Sequence, residues 1–146
     1  MPVNILIAED EKHARQTLSI IFRARGYRVT AAASGEEAIA GAIACRDAGE
    51  PVTLLLTDVI MPGISGVGLI DRLRKEGIDL PVVCLTGFGD RPLKAKLRDR
   101  NCREIVDKPC RPEILIEIVE RLIEEEAAAW GENCSVSVPQ AGKGLD

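Results

Sequence analysis

The sequence predicts an α/β fold, a doubly wound five-stranded parallel sheet covered on both faces by five helices. Three observations predict it. Between Val3 and Glu126 the hydrophobic period changes from strand-like to helix-like five times in succession. One strand-like run, Val52 to Thr57, is apolar on both faces, as a central parallel strand must be. The chain has 146 residues, 46% apolar and 29% charged, which suits one soluble domain and excludes a disordered chain.

Val3 to Ala8 is the first strand. From Glu11 to Arg25 the spacing becomes helical, with Ala14, Leu18, Ile21 and Phe22 on one face and Gly26 where the chain must leave the helix. Tyr27 to Ala32 is the second strand. Ser34-Gly35-Glu36-Glu37 is a capping box that opens the second helix, which lasts until Asp47-Ala48-Gly49. Val52 to Thr57 is the third strand, and Met61-Pro62-Gly63 a turn. Val67 to Lys75 is a short helix stopped by Gly77. Pro81 to Thr86 is the fourth strand, and Gly87-Phe88-Gly89 a loop. Leu93 to Arg100 is a short basic helix. Glu104 to Asp107 is the fifth strand, and Pro112 stands in the first turn of the last helix, whose inward face is Leu115, Ile118, Val119 and Leu122. The period ends at Glu126. The expected organisation is one domain over residues 1–126 and a mobile tail over 127–146.

Several classes of function are excluded early. The net charge is −4 and only Phe22, Tyr27, Phe88 and Trp130 are aromatic, which predicts no direct nucleic-acid partner. No apolar run approaches the roughly 20 residues that span a bilayer, so no membrane partner is expected. The opening Met1-Pro2-Val3 segment lacks a secretory pattern, which predicts a cytoplasmic location. Five cysteines without a paired spacing and one histidine, His13, do not make a structural zinc site.

Ligands of open parallel sheets collect beyond the carboxyl ends of the strands. Glu9 and Asp10 follow strand one, Asp58 ends strand three, Thr86 ends strand four and Lys108 follows strand five. Three carboxylates, a hydroxyl and an ammonium would share one rim. Oxygen ligands without thiol or imidazole suit Mg²⁺. Two carboxylates about 5 Å apart repel by roughly 3 kcal/mol at an effective dielectric of 20, so the cluster calls for a counter-charge. A cation and Lys108 would supply it.

Those five positions, with the segments Leu54-Leu55-Leu56-Thr57-Asp58, Cys84-Leu85-Thr86-Gly87 and Lys108-Pro109, resemble the receiver domain of two-component response regulators, here as a stand-alone single-domain type. The likeness runs from about Val3 to Glu126. It implies the strand order 2-1-3-4-5 of the flavodoxin-like receiver fold. It further implies that Asp58 accepts a phosphoryl group from a phosphohistidine on a sensor histidine kinase or a histidine phosphotransfer protein. Mg²⁺ would be held by Asp10, Asp58 and the Ile60 backbone carbonyl, with Glu9 close by. Thr86 and Lys108 would contact the phosphoryl oxygens, and Gly87 would leave room for the donor. The domain would thus be a phosphorylated regulator rather than an enzyme, with output by protein–protein contact.

The chain departs from the family at two places. Ile105 stands where many receivers carry the aromatic that turns inward on activation, and Cys110 where Phe often follows Lys-Pro. Ile60 and Phe88, which flank the phosphoryl position, are both apolar, so the phosphoaspartate is expected to be long-lived. His13 reads as a solvated first-turn residue. Arg91, Lys94, Lys96, Arg98, Arg100 and Arg103 form a basic stretch, read either as a solvated face or as a dock for an acidic downstream partner. The family's output face, formed by helix four, strand five and helix five, includes it. Ile114, Ile116 and Ile123 are read either as a homodimer contact or as packing. A phosphatase using an aspartyl nucleophile would need a second acid two residues after Asp58, where Ile60 stands. A flavodoxin-like cofactor binder would need a glycine- and hydroxyl-rich loop in place of Glu9-Asp10-Glu11. A degenerate receiver would not keep all five positions.

Overall fold

The computed structural model describes residues 3–87 and 96–130. Five parallel strands, β1 (Asn4–Ala8), β2 (Arg28–Ala32), β3 (Leu54–Asp58), β4 (Val82–Thr86) and β5 (Cys102–Asp107), lie in the order β2-β1-β3-β4-β5. Four α-helices accompany them: α1 (Lys12–Ala24), α2 (Gly35–Asp47), α3 (Gly66–Lys75) and α4 (Pro112–Trp130). These are four of the five helices expected; the other, expected over Leu93 to Arg100, lies partly outside the described residues. The stretch between β4 and β5 begins outside them. Its described end is Lys96 and Leu97 followed by a 3₁₀ turn, Arg98–Arg100, closed by Asn101 at φ 59°.

The pleat divides the core into two. Ile5 and Ile7 of β1 pack with Leu54 and Leu56 of β3 against Leu18 and Phe22 of α1 and Leu115, Val119 and Leu122 of α4. Leu6 and Ala8 point the other way, with Leu55, Ala38, Leu69 and Leu73 beneath α2 and α3. The central strands β1, β3 and β4 are buried along their whole length. Their backbones are thereby held rigid up to the ends where the acids stand.

Local signals behave largely as their chemistry requires. The Ser34 hydroxyl accepts from Glu37 N–H, while the Glu37 carboxylate takes the N–H of Ala33, one residue earlier than a strict capping box. Glu11, not singled out from sequence, caps α1 by accepting from His13 and Ala14 N–H. α4 runs on to Trp130, so helix continues past Glu126 where the apolar period stops. Residues 131–146, the remainder of the expected tail, lie outside the described residues. Ile123 is buried and Ile116 packs on the same core, which removes both from an exposed contact and leaves Ile114, 41% exposed. Among the described residues, no helix is long and apolar enough to cross a membrane.

One connection matters for the site. After Asp58 the chain turns back so tightly that Gly66 N–H bonds to Val59 C=O at 2.7 Å. A β-carbon at Gly66 would press on the Asp58 carbonyl oxygen. Glycine at this position therefore lets α3 begin against the end of β3.

Candidate functional site

β1 and β3 are neighbours, with Ala8 opposite Thr57, so Glu9, Asp10 and Asp58 emerge together at the carboxyl edge of the sheet. Each offers a carboxylate oxygen within 4.8 Å of the others. Glu9 and Asp58 are buried, while Asp10 is exposed. Lys108 reaches in from the loop after β5, with Nζ 3.2 Å from Glu9 Oε1 and 2.6 Å from Asp58 Oδ1. The Glu9 contact is a directed hydrogen bond. The Asp58 contact is ionic only, and neither buried Asp58 oxygen accepts a hydrogen bond of good geometry.

The rim is anchored from behind. Glu11 N–H donates to Glu9 Oε2 at 3.0 Å, and Arg15 Nη1 donates to the Glu9 carbonyl at 3.0 Å and to the Asp10 carbonyl at 3.4 Å. Neither Glu11 nor Arg15 was singled out for this from sequence. Their signal, a carboxylate and a guanidinium one helical turn apart just after the acids, is too common to read alone.

The electrostatics follow from burial and crowding. Loss of water, then the neighbouring Glu9 carboxylate, push Asp58 up to about 8, and Lys108 only partly opposes them. Burial also acts to raise Glu9, but the adjoining Asp58 carboxyl, the Glu11 N–H and Lys108 outweigh it, and its carboxyl lies below the usual range. Burial likewise acts to lower Lys108, yet Asp58 and Glu9 hold its ammonium above the ordinary lysine value. A buried carboxylate with two undirected oxygens, a second buried acid beside it and an exposed third acid form an oxygen-only cage. Its donor set fits a hard divalent cation.

Thr86 sits at the same edge, but its hydroxyl is turned from Asp58 and donates to Asp107 Oδ1 at 2.8 Å. Ile60 follows in the loop after β3 with its side chain 59% exposed. His13 is exposed in the first turn of α1, and lines an open groove of about 560 Å³ with Thr17, Lys108 and Cys110. Ile105 is half-buried against the α3 side of the core, and Cys110 packs against the α1–α4 side. Of the basic stretch, Arg100 pairs with Asp71 at 2.8 Å, and Arg103 pairs with Glu125 and Glu126 of α4. Lys96 and Arg98 are exposed. Phe88, Arg91 and Lys94 lie outside the described residues.

A family model, the response regulator receiver domain, matches residues 5–120. The chain belongs to that family. Among curated relatives, the transcriptional regulatory protein FixJ of Rhizobium meliloti is 31% identical over 123 residues, covering 84% of this chain and 58% of that protein. The uncharacterized transcriptional regulatory protein YkoG of Bacillus subtilis is 35% identical over 113 residues, 77% of this chain and 47% of that protein. The crystal structure of FixJ-N superposes with a TM-score of 0.71 at 26% identity, covering 94% of this chain and 99% of that one. This receiver domain spans between 25% and 58% of the length of the curated relatives it matches. The family is the regulatory phosphoacceptor module of two-component systems, and its members work with sensor histidine kinases and downstream effectors.

Proposed function

We propose that this receiver domain is a phosphorylation-operated switch in which Asp58 takes a phosphoryl group from the phosphohistidine of a sensor histidine kinase or histidine phosphotransfer protein. The observation that carries the reading is the state of Asp58: buried, with both oxygens free of directed hydrogen bonds, and 2.6 Å from an ammonium. A merely structural buried carboxylate would be expected to have its oxygens satisfied. This one keeps a lone pair available.

In the transfer an Asp58 oxygen forms a bond to phosphorus as the phosphorus–nitrogen bond of the donor imidazole breaks, and the imidazole leaves with the electron pair. Glu9, Asp10, Asp58 and the Ile60 carbonyl would hold Mg²⁺, which when bound draws negative charge from the carboxylates and the phosphoryl oxygens. Lys108 opposes the protonation of Asp58 and neutralises charge on the transferring group. Gly87 leaves the approach open, and the Thr86 hydroxyl turns to a phosphoryl oxygen once the group is on. The product adds about −1.5 to −2 charge at neutral pH, enough to bias the loops carrying Thr86 and Lys108. Output passes by contact to a downstream protein on the face that includes β5 and α4. Lys96 and Arg98, exposed at the start of that face, favour an acidic partner.

The test is incubation with Mg²⁺ and a small phosphodonor. A modification stable in acid and labile in alkali is expected in the wild type and absent from Asp58→Asn. Equal labelling of both proteins would refute the assignment.

A further inference from the structure

We propose that Asp107 is a positioning residue that holds the Thr86 hydroxyl in an off state, so that phosphorylation is a competition between Asp107 and the phosphoryl group for one proton. The inference rests on the acceptor role proposed for Asp58 and adds to it a residue that sets the threshold of the switch.

A hydroxyl has a single proton to donate. In Thr86 that proton goes to Asp107 Oδ1 at 2.8 Å, a charge-assisted bond of ordinary good length. While it does, no phosphoryl oxygen on Asp58 can receive it. Threonine is branched at the β-carbon and occupies discrete staggered rotamers, so the hydroxyl passes between the two acceptors as a step. The two outcomes are therefore distinct states.

The pairing is built by the backbone. β4 and β5 start in register at Val82 and Cys102, and without interruption Thr86 would stand opposite Val106. An irregularity after Cys102 leaves Arg103 unpaired and moves the register on by one, so Thr86 faces Asp107. Lys108 N–H then bonds to the Thr86 carbonyl at 2.7 Å and fixes the alignment. Arg103 is itself tied to Glu125 of α4 at 3.1 Å, which links the bulge to the last helix.

The consequence concerns output. Ile105 cannot signal by turning an aromatic ring. When Thr86 turns toward the phosphoryl group, the exposed Asp107 carboxylate loses the Thr86 donor on the edge strand β5, and the charge presented there changes partners. In this way the phosphorylated state is reported on the edge of the sheet that meets α4.

The experiment measures beryllofluoride affinity at saturating Mg²⁺ by calorimetry, in a cycle of Asp107→Ala, Thr86→Val and the double variant, with Asp107→Asn alongside. Removing a carboxylate near an anion site tightens anion binding through space whatever Thr86 does, and the Thr86→Val background measures that part alone. Asp107→Ala is expected to tighten binding about tenfold when Thr86 is present and less than about threefold in the Thr86→Val background, with Asp107→Asn in between because an amide oxygen still accepts. Urea midpoints of all variants show that they are folded. Equal tightening in both backgrounds, or no tightening in either, overturns the latch. If the wild type binds no beryllofluoride, the acceptor role of Asp58 fails first and the latch with it, an outcome distinct from a wild type that binds with a null cycle.

Discussion

Replacing Asp58 by Asn should stabilise the metal-free protein at neutral pH, and the gain should vanish in acid. In the unfolded chain this carboxyl releases its proton near 3.8, and in the folded protein burial and Glu9 hold it to about 8. Between those values the folded state binds more protons than the unfolded one, so stability falls as pH rises through the window. Holding the proton from 3.8 up to about 8 is worth at most ~6 kcal/mol, at 1.36 kcal/mol for each tenfold change in proton affinity. Asparagine also forfeits the contact with Lys108, whose side chain is 39% exposed and screened by water, and Lys108 keeps Glu9 as a partner. The net gain expected at pH 7.5 is therefore about 1–3 kcal/mol after that discount. Urea unfolding in the presence of EDTA at pH 7.5 and again at pH 4.5 measures it. With Mg²⁺ at ten times its dissociation constant the wild type alone should recover about 1.4 kcal/mol, narrowing the gap. An Asn variant no more stable than wild type at pH 7.5, or a gap that does not change with pH, would refute the electrostatic reasoning.

Gly66→Ala should cost about 1–3 kcal/mol in urea unfolding and weaken Mg²⁺ binding as well, because the new methyl displaces the Asp58 carbonyl; unchanged Mg²⁺ affinity would mean the turn does not position the acid. Ile60→Asn should shorten the phosphoaspartate lifetime about tenfold, the effect of one well-placed hydrogen bond on water. A decay time no shorter than that of the wild type would contradict it. Glu120→Ala removes the carboxylate that receives both Arg25 at 2.9 Å and the Tyr27 hydroxyl at 3.0 Å, and should cost about 1–2 kcal/mol in thermal unfolding while leaving phosphorylation intact. Charge reversal at Lys94 and Arg98 should weaken binding of an acidic partner in a pull-down without changing phosphorylation; loss of both would assign the patch to folding.

The strand ends are legible because a buried parallel strand is mostly apolar and carries no charge, so the first charged residue marks the rim. Asp58 after Leu54 to Thr57, and Glu9 after a run of apolar residues, announce themselves in this way. The Thr86–Asp107 bond was not legible, since it depends on one unpaired residue in β5 that no local pattern encodes. Glu11 as a helix cap was hidden by chemistry: glutamate is a less usual cap than Ser34, and its role shows only in the bonds to His13 and Ala14. The burial of Ile123 does not show in the sequence, because α4 buries a wider stripe than the spacing of Leu115, Val119 and Leu122 implies. The continuation of α4 to Trp130 has a similar cause, since alanines carry helix by propensity where no apolar period remains.

The acceptor role of Asp58 is tested most directly by locating the phosphoryl group. After reaction with a small phosphodonor and Mg²⁺, borohydride reduction converts a phosphorylated aspartate to homoserine, which peptide mass spectrometry can place. Homoserine at position 58 and nowhere else is the predicted result. Homoserine at Asp10, or a reduced protein with Asp58 unchanged after full labelling, would contradict it.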